Sequence, residues 1–138
     1  MAAETANGDI LLGPVRVRVD EERAARLRRE TGFAETPETV VPAVYPAVWL
    51  TTSEIGGAIR GALAGEDAVP VHESQSFHYF APLRVGESYD LTVAIRREQA
   101  PPRLVVNASV STQGGDVRLH AEALLRIVPR PVGPGGAP

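Results

Sequence analysis

From residue 69 to residue 128 the chain alternates apolar and polar residues in four runs, at about 69–81, 88–97, 104–112 and 117–128. A period of two puts every second side chain on the same side of an extended strand, so each run reads as a strand with one buried face. The last run is the clearest. Val117, Leu119, Ala121, Ala123, Leu125 and Ile127 fall on one side, and Arg118, His120, Glu122 and Arg126 on the other. Gly114-Gly115 supplies the positive φ of a tight hairpin before it. Pro101-Pro102 separates the second run from the third, and a tight turn from Pro82 to Gly86 follows the first. Strands joined by connections this short lie antiparallel. A sheet with one apolar face needs a cover, and residues 47–64 offer one. Ala47, Leu50, Ile55, Ala58, Ile59, Ala62 and Leu63 give that segment a helical apolar surface. The expected class is therefore α+β, an antiparallel sheet wrapped around a long central helix.

The first half adds a short strand at 15–19, where valines alternate with Arg16 and Arg18. Asp20 suits a helix N-cap, with Glu21 and Glu22 in the first turn against the dipole. That helix should run to about Glu30 and end near Gly32. Residues 33–46 hold Pro37, Pro42 and Pro46 and read as a long loop. Gly56, Gly57 and Gly61 each weaken the central helix by about 1 kcal/mol relative to alanine, so their presence there predicts close approach of a sheet, a helix or a ligand. Residues 1–9 read as a flexible leader and 129–138, PRPVGPGGAP, as a flexible tail. One domain over 10–128 lies between them.

Composition narrows the function. The chain has 138 residues, 43% of them hydrophobic, enough for one packed core. A formal charge of −3 argues against a broad nucleic-acid surface. All 14 basic residues are arginine, a coding bias more than a functional signal. The absence of cysteine excludes disulfides, thiolate nucleophiles and zinc-thiolate sites. No apolar run reaches the ~18 residues of a membrane span, and MAAETANGDI has no signal-peptide pattern. A soluble cytoplasmic protein with no membrane partner is expected.

Three stretches resemble a known family. VPAVYPAVWL at 41–50 resembles the V-P-P-T-F-P-V-V-L run that leads into the central helix of MaoC-like dehydratases. VHESQSFHYFAPLRVGE at 71–87 resembles their V-H-G-E-Q-E-F-E-Y-H-R-P-L-R-A-G-D signature. Val71, His72, Gln75, Phe77, Tyr79, Pro82, Leu83, Arg84 and Gly86 match, with Glu73 displaced by one position. VRVDEERAARLRRETG at 17–32 resembles their first helix, and the N-terminal, FAS1-like half of the group is the most similar part. The resemblance implies the hot-dog fold and reversible hydration of a trans-2-enoyl thioester to a 3-hydroxyacyl thioester. It implies no cofactor, and a substrate carried on CoA or on an acyl-carrier protein.

That chemistry needs an acid and a base across one carbon–carbon bond. The family's catalytic motif resembles G-D-x-N-P-x-H, and the matching stretch here is Thr31 to Thr39. The aspartate position falls on Phe33 or Ala34 and the histidine position on Thr39, so the usual dyad is missing. The resemblance then implies a non-catalytic half that forms part of the substrate tunnel beside a dyad-bearing hot-dog subunit. A self-sufficient homo-oligomeric dehydratase or thioesterase, and an acyl-binding module without turnover, are the alternatives.

Individual residues follow from this. His72, Glu35 and Glu54 are the candidate catalytic groups outside the dyad, with Glu38 beside Glu35. His72 also fits a structural role at a strand start, and the three carboxylates also fit solvated or capping roles. Tyr45, Trp49, Gly56, Gly57, Phe77 and Tyr79 are candidates for lining an apolar acyl channel, or for the core. Arg84, beside the Pro82–Gly86 turn, is a candidate for a cofactor phosphate, or a surface arginine. His78 and His120 are expected at solvent or an interface. His72 and Glu73 are adjacent on opposite strand faces, so no metal site is expected.

Overall fold

The computed structural model describes residues 2–4, 8–30 and 41–130. Its elements are β1 (Ala2–Glu4), β2 (Ile10–Arg18), α1 (Glu21–Glu30), α2 (Pro46–Trp49), α3 (Ser53–Ala62), β3 (Ala68–Tyr79), β4 (Ser88–Gln99), β5 (Pro102–Ser111) and β6 (Val117–Pro129). The strands form one antiparallel sheet in the order β1-β2-β4-β5-β6-β3. The four expected runs are all present, each within a few residues of its predicted ends. Gly115 has φ +93, the conformation the β5–β6 hairpin requires.

Three expectations need correction. The leader is not loose throughout: Ala2, Ala3 and Glu4 pair with Leu12, Leu11 and Ile10 as an edge strand. The first strand of the body starts at Ile10, five residues earlier than the alternation at 15–19 indicates. Gly13-Pro14 hides its beginning, because the register against β4 shifts between Leu12 and Val15 and breaks the period of two. The long central helix is two pieces, α2 and α3. Thr51 Oγ1 donates to Val48 O at 2.7 Å, a local bond that competes with helix continuation. Thr52 then takes ψ 159, an extended N-cap conformation, and α3 starts afresh with Gly56 N–H donating to Thr52 O at 2.9 Å.

The first helix starts as predicted. Asp20 Oδ2 accepts from Arg23 N–H at 2.8 Å, satisfying one of the helix's unpaired donors. At the other end of the chain β6 runs through Pro129, and Arg130 N–H donates to Asp67 O at 3.0 Å. Residues 131–138 lie outside the described residues.

The core lies between the concave face of the sheet and the helices. Leu91, Val93 and Ile95 of β4, Leu104, Val106 and Ala108 of β5, and Leu119, Ala121 and Ala123 of β6 supply the sheet side. Tyr45, Trp49, Ile55 and Leu63 close it from the helical side. Ile55 is only 1% exposed, so α3 is held by the insertion of its apolar face into the curl of the sheet.

Candidate acyl-binding groove

Between the helices and the inner sheet face lies a cavity of about 330 Å³. Ala47, Leu50 and Thr51 from α2 and its end, and Ile55 and Ile59 from α3, form one wall. Val106 of β5 and Ala123 and Leu125 of β6 form the floor, and His72 and Gln75 of β3 form the remaining side. Seven of these ten side chains are apolar, which suits a hydrocarbon guest with few polar contacts.

His72 and Gln75 reach the same side for a reason that a regular strand would not allow. Residues three apart on a strand face opposite ways. Here His72 pairs with Leu125, Ser74 with Leu124 and Gln75 with Ala123, which leaves Glu73 as an extra residue without a partner on β6. This bulge resets the alternation, so that His72, Gln75, Phe77 and Tyr79 all share the inner face. The Glu73 carboxylate turns to the outer face and pairs with Arg126, Nε at 3.0 Å and Nη2 at 3.3 Å.

Of the candidate catalytic groups, His72 is on the groove wall. Glu54 is exposed in the first turn of α3, where its carboxylate accepts from Ser53 Oγ at 3.4 Å, and it does not line the groove. Glu35 and Glu38, together with Phe33, Ala34 and Thr39, lie outside the described residues. Among the described residues no carboxylate lines the groove, and no three of His, Asp and Glu gather in a way that could hold a metal ion.

The aromatic candidates divide. Tyr45 and Trp49 belong to the core, at 1% and 4% exposure, with their rings edge-to-face at 5.5 Å. The Tyr45 hydroxyl accepts from Asp20 N–H at 2.9 Å, and Trp49 Nε1 donates to Arg18 O at 3.3 Å. They anchor the start of α1 and the end of β2 to α2 and do not line the groove. Phe77 packs against the core from β3. Tyr79 lies at the far end of β3 and lines a second cavity of about 400 Å³ with Val41, Ala43, Phe80, Pro82 and Leu83.

Tyr79 donates its hydroxyl proton to Ala43 O at 2.6 Å. Burial pushes its phenol up to about 12, above the ordinary value near 10 of an unfolded chain. Between those values the folded chain keeps a proton that the unfolded chain gives up. The stabilisation is therefore complete below about pH 10 and is lost as pH rises towards 12. Urea midpoints should fall across that window by about 1 to 2 kcal/mol equivalent in the wild type, less than the full shift implies because solvent reaches part of the side chain. The fall should be smaller in Tyr79→Phe, and an equal fall in the two proteins would refute this assignment.

Among the described residues the glycines do not mark a close approach. A Cβ at Gly56 would sit 3.4 Å from Arg60 Nη1 and one at Gly57 3.9 Å from Arg60 Nη2, while one at Gly61 would meet nothing within 4 Å. None of the three lines the groove. Arg84 is exposed, and its backbone N–H donates to the Tyr89 hydroxyl at 2.8 Å, fixing the turn. His78 and His120 face outward, directly opposite each other across β3 and β6. The Phe80 ring, 57% exposed, stacks edge-on with both, at 4.8 and 5.2 Å.

Thr51, Gln75, Val106, Ala123 and Leu125 line the groove, a role the sequence pattern does not assign to them. Ala123 and Leu125 carry only the alternation that also marks core. Gln75 is the one with a separate signal, as a polar residue at the same alternation as Phe77 and Tyr79.

No protein-family model matches the chain, and none of the curated proteins does. Solved structures do. The C-terminally truncated HadBC complex of Mycobacterium tuberculosis, a 3R-hydroxyacyl-ACP dehydratase, superposes with a TM-score of 0.68 at 15% identity, covering 89% of this chain and 99% of that one. A hot-dog-like protein from Thermanaerovibrio acidaminovorans gives 0.62 at 16% identity, over 91% and 84% of the two chains. This chain has the hot-dog fold. A third solved structure, the (R)-hydratase of A. caviae involved in PHA biosynthesis, gives 0.51 at 17% identity over 86% and 92%. Among the described residues no helix is long and apolar enough to cross a membrane.

Proposed function

We propose that this hot-dog chain is a MaoC-like subunit of an (R)-specific enoyl-thioester hydratase or 3-hydroxyacyl-thioester dehydratase, and that it forms substrate tunnel without supplying the catalytic dyad. The observation that carries the reading is the groove: apolar, of a size that takes an acyl chain, and lined by one histidine and no carboxylate among the described residues. Water addition to a trans-2-enoyl thioester puts a hydroxyl on Cβ and a proton on Cα. One group must take a proton from water while another delivers one to carbon. His72 alone offers half of that. The missing half, and the dyad itself, come from a second hot-dog chain.

Two further features support a partner. The β3 edge of the sheet is long and carries exposed Val71, blunted only by Pro70 and the bulge at Glu73. Such an edge is a natural place for another chain to add. HadBC, similar in fold, is itself a complex. The substrate is an acyl-CoA or an acyl-carrier-protein thioester. A second reading, a self-sufficient homo-oligomeric dehydratase or thioesterase, draws on His72 at the groove wall. Co-expression with a hot-dog chain carrying the aspartate and histidine, encoded next to this one, separates the readings. A stoichiometric complex that hydrates enoyl thioesters supports the subunit; a homo-oligomer that loses turnover in His72→Ala supports the alternative. Saturable acyl-thioester binding with no product in any combination leaves a binding module.

A further inference from the structure

The groove has a buried polar group that a plain hydrocarbon would leave without a partner. Gln75 Nε2 is fully buried and finds no hydrogen-bond partner among the described residues. It belongs to a side chain that lines the cavity, and the bulge at Glu73 is what turns it inward. A buried amide without a partner costs about a tenfold to hundredfold factor in an equilibrium constant, so a guest that satisfies it gains that factor over one that does not. His72 and Thr51 add two more polar groups to the same cavity. The opposite walls, Ile55, Ile59, Val106 and Leu125, offer nothing but carbon.

From this juxtaposition we infer that the groove selects acyl thioesters whose chain carries, beyond the Cβ hydroxyl of the hydration product, a further oxygen, a ketone or hydroxyl, placed to meet the Gln75 amide. The inference rests on the groove being the acyl site. An oxygen on the chain fits better than the pantetheine arm of the carrier. That arm has two amides as well as hydroxyls, and with Gln75 meeting one of these groups the others would face the apolar wall unsatisfied. A mostly alkyl chain with one oxygen meets both walls: methylenes against the helices and floor, the oxygen against β3. Gln75 is thus a specificity-determining residue and takes no part in proton transfer.

Binding of medium-chain acyl-CoA and of counterparts with a ketone moved stepwise along the chain, measured calorimetrically on the full chain, tests this. At one ketone position the wild type should bind at least about tenfold more tightly than the unsubstituted thioester. Gln75→Met, which keeps length and removes the amide, should abolish that preference and tighten the unsubstituted thioester. Gln75→Leu serves as a second apolar variant, and unchanged melting curves in either confirm that the fold persists. Equal binding of ketone and alkyl chains by the wild type, at every position, overturns the inference and leaves the acyl groove standing. A preference that survives both substitutions also overturns it. No binding of any thioester removes the groove as an acyl site, and the inference with it.

Discussion

Gly13→Ala is expected to destabilise the fold by about 3 kcal/mol, a loss of roughly 10 °C in Tm for a domain of this size. Gly13 sits at φ +99 in the bend of β2. A Cβ there would lie 2.5 Å from Leu91 O and 3.0 Å from Val15 N, both backbone atoms. The left-handed conformation alone costs an L-residue about 1 to 2 kcal/mol. The contact with Leu91 O adds to it, because neither atom belongs to a side chain that can swing away. Leu91 is itself buried in the core, so any relief of the clash disturbs packing. Gly61→Ala is the matched control with the opposite sign. It lies in α3 with nothing among the described residues within 4 Å of the new carbon, and should stabilise by about 0.5 to 1 kcal/mol. Urea unfolding of the two variants decides the matter; a Gly13→Ala midpoint within error of wild type would contradict this account of the β2 bend.

The second large effect is at Ile55. Ile55→Ala should cost about 2 to 5 kcal/mol, the range for truncating a buried aliphatic side chain. Ile55 is the most deeply buried residue of α3, and it also forms part of the groove wall. The substitution therefore acts twice: it removes the main anchor of the helix and joins the space it leaves to the cavity. If the protein remains folded at low temperature, the groove should accept bulkier acyl chains than the wild type does. Ile59→Ala, half-buried on the same wall, should widen the groove with a smaller loss of stability. Loss of stability with no change in chain preference in either variant would separate the groove from acyl binding.

Much of this architecture is legible in the residues because a period of two is a local signal. The alternation of Leu119, Ala121 and Ala123 locates β6, and Asp20 locates the start of α1, without knowledge of the rest of the chain. The misses have equally local causes. Gly13-Pro14 breaks the alternation of β2 by inserting a bend, so only its second half, from Val15, reads as a strand. Thr51 and Thr52 divide the central helix through a side-chain bond to Val48 O that apolar periodicity does not register. The site is harder to read. A core residue and a groove residue carry the same apolar pattern, which is why Tyr45 and Trp49 resemble channel lining and yet tie α2 to β2 and α1, while Ala123 and Leu125 resemble core and yet form the groove floor. The inward turn of His72 together with Gln75 depends on the unpaired Glu73, and pairing register is a property of two strands that neither sequence segment contains alone.

The central claim is that the chain contributes groove walls to a hydration reaction whose acid and base reside elsewhere. Its most direct test is the rate of water addition to a trans-2-enoyl thioester by the purified chain, followed by loss of the conjugated enoyl absorbance, with and without a dyad-bearing hot-dog partner. The account predicts no turnover above background from this chain alone and turnover in the complex. It predicts further that replacing the partner's dyad residues abolishes that turnover, whereas His72→Ala in this chain leaves most of it. Full hydratase activity from the isolated chain, lost on substitution of His72, Glu35 or Glu54, would contradict it.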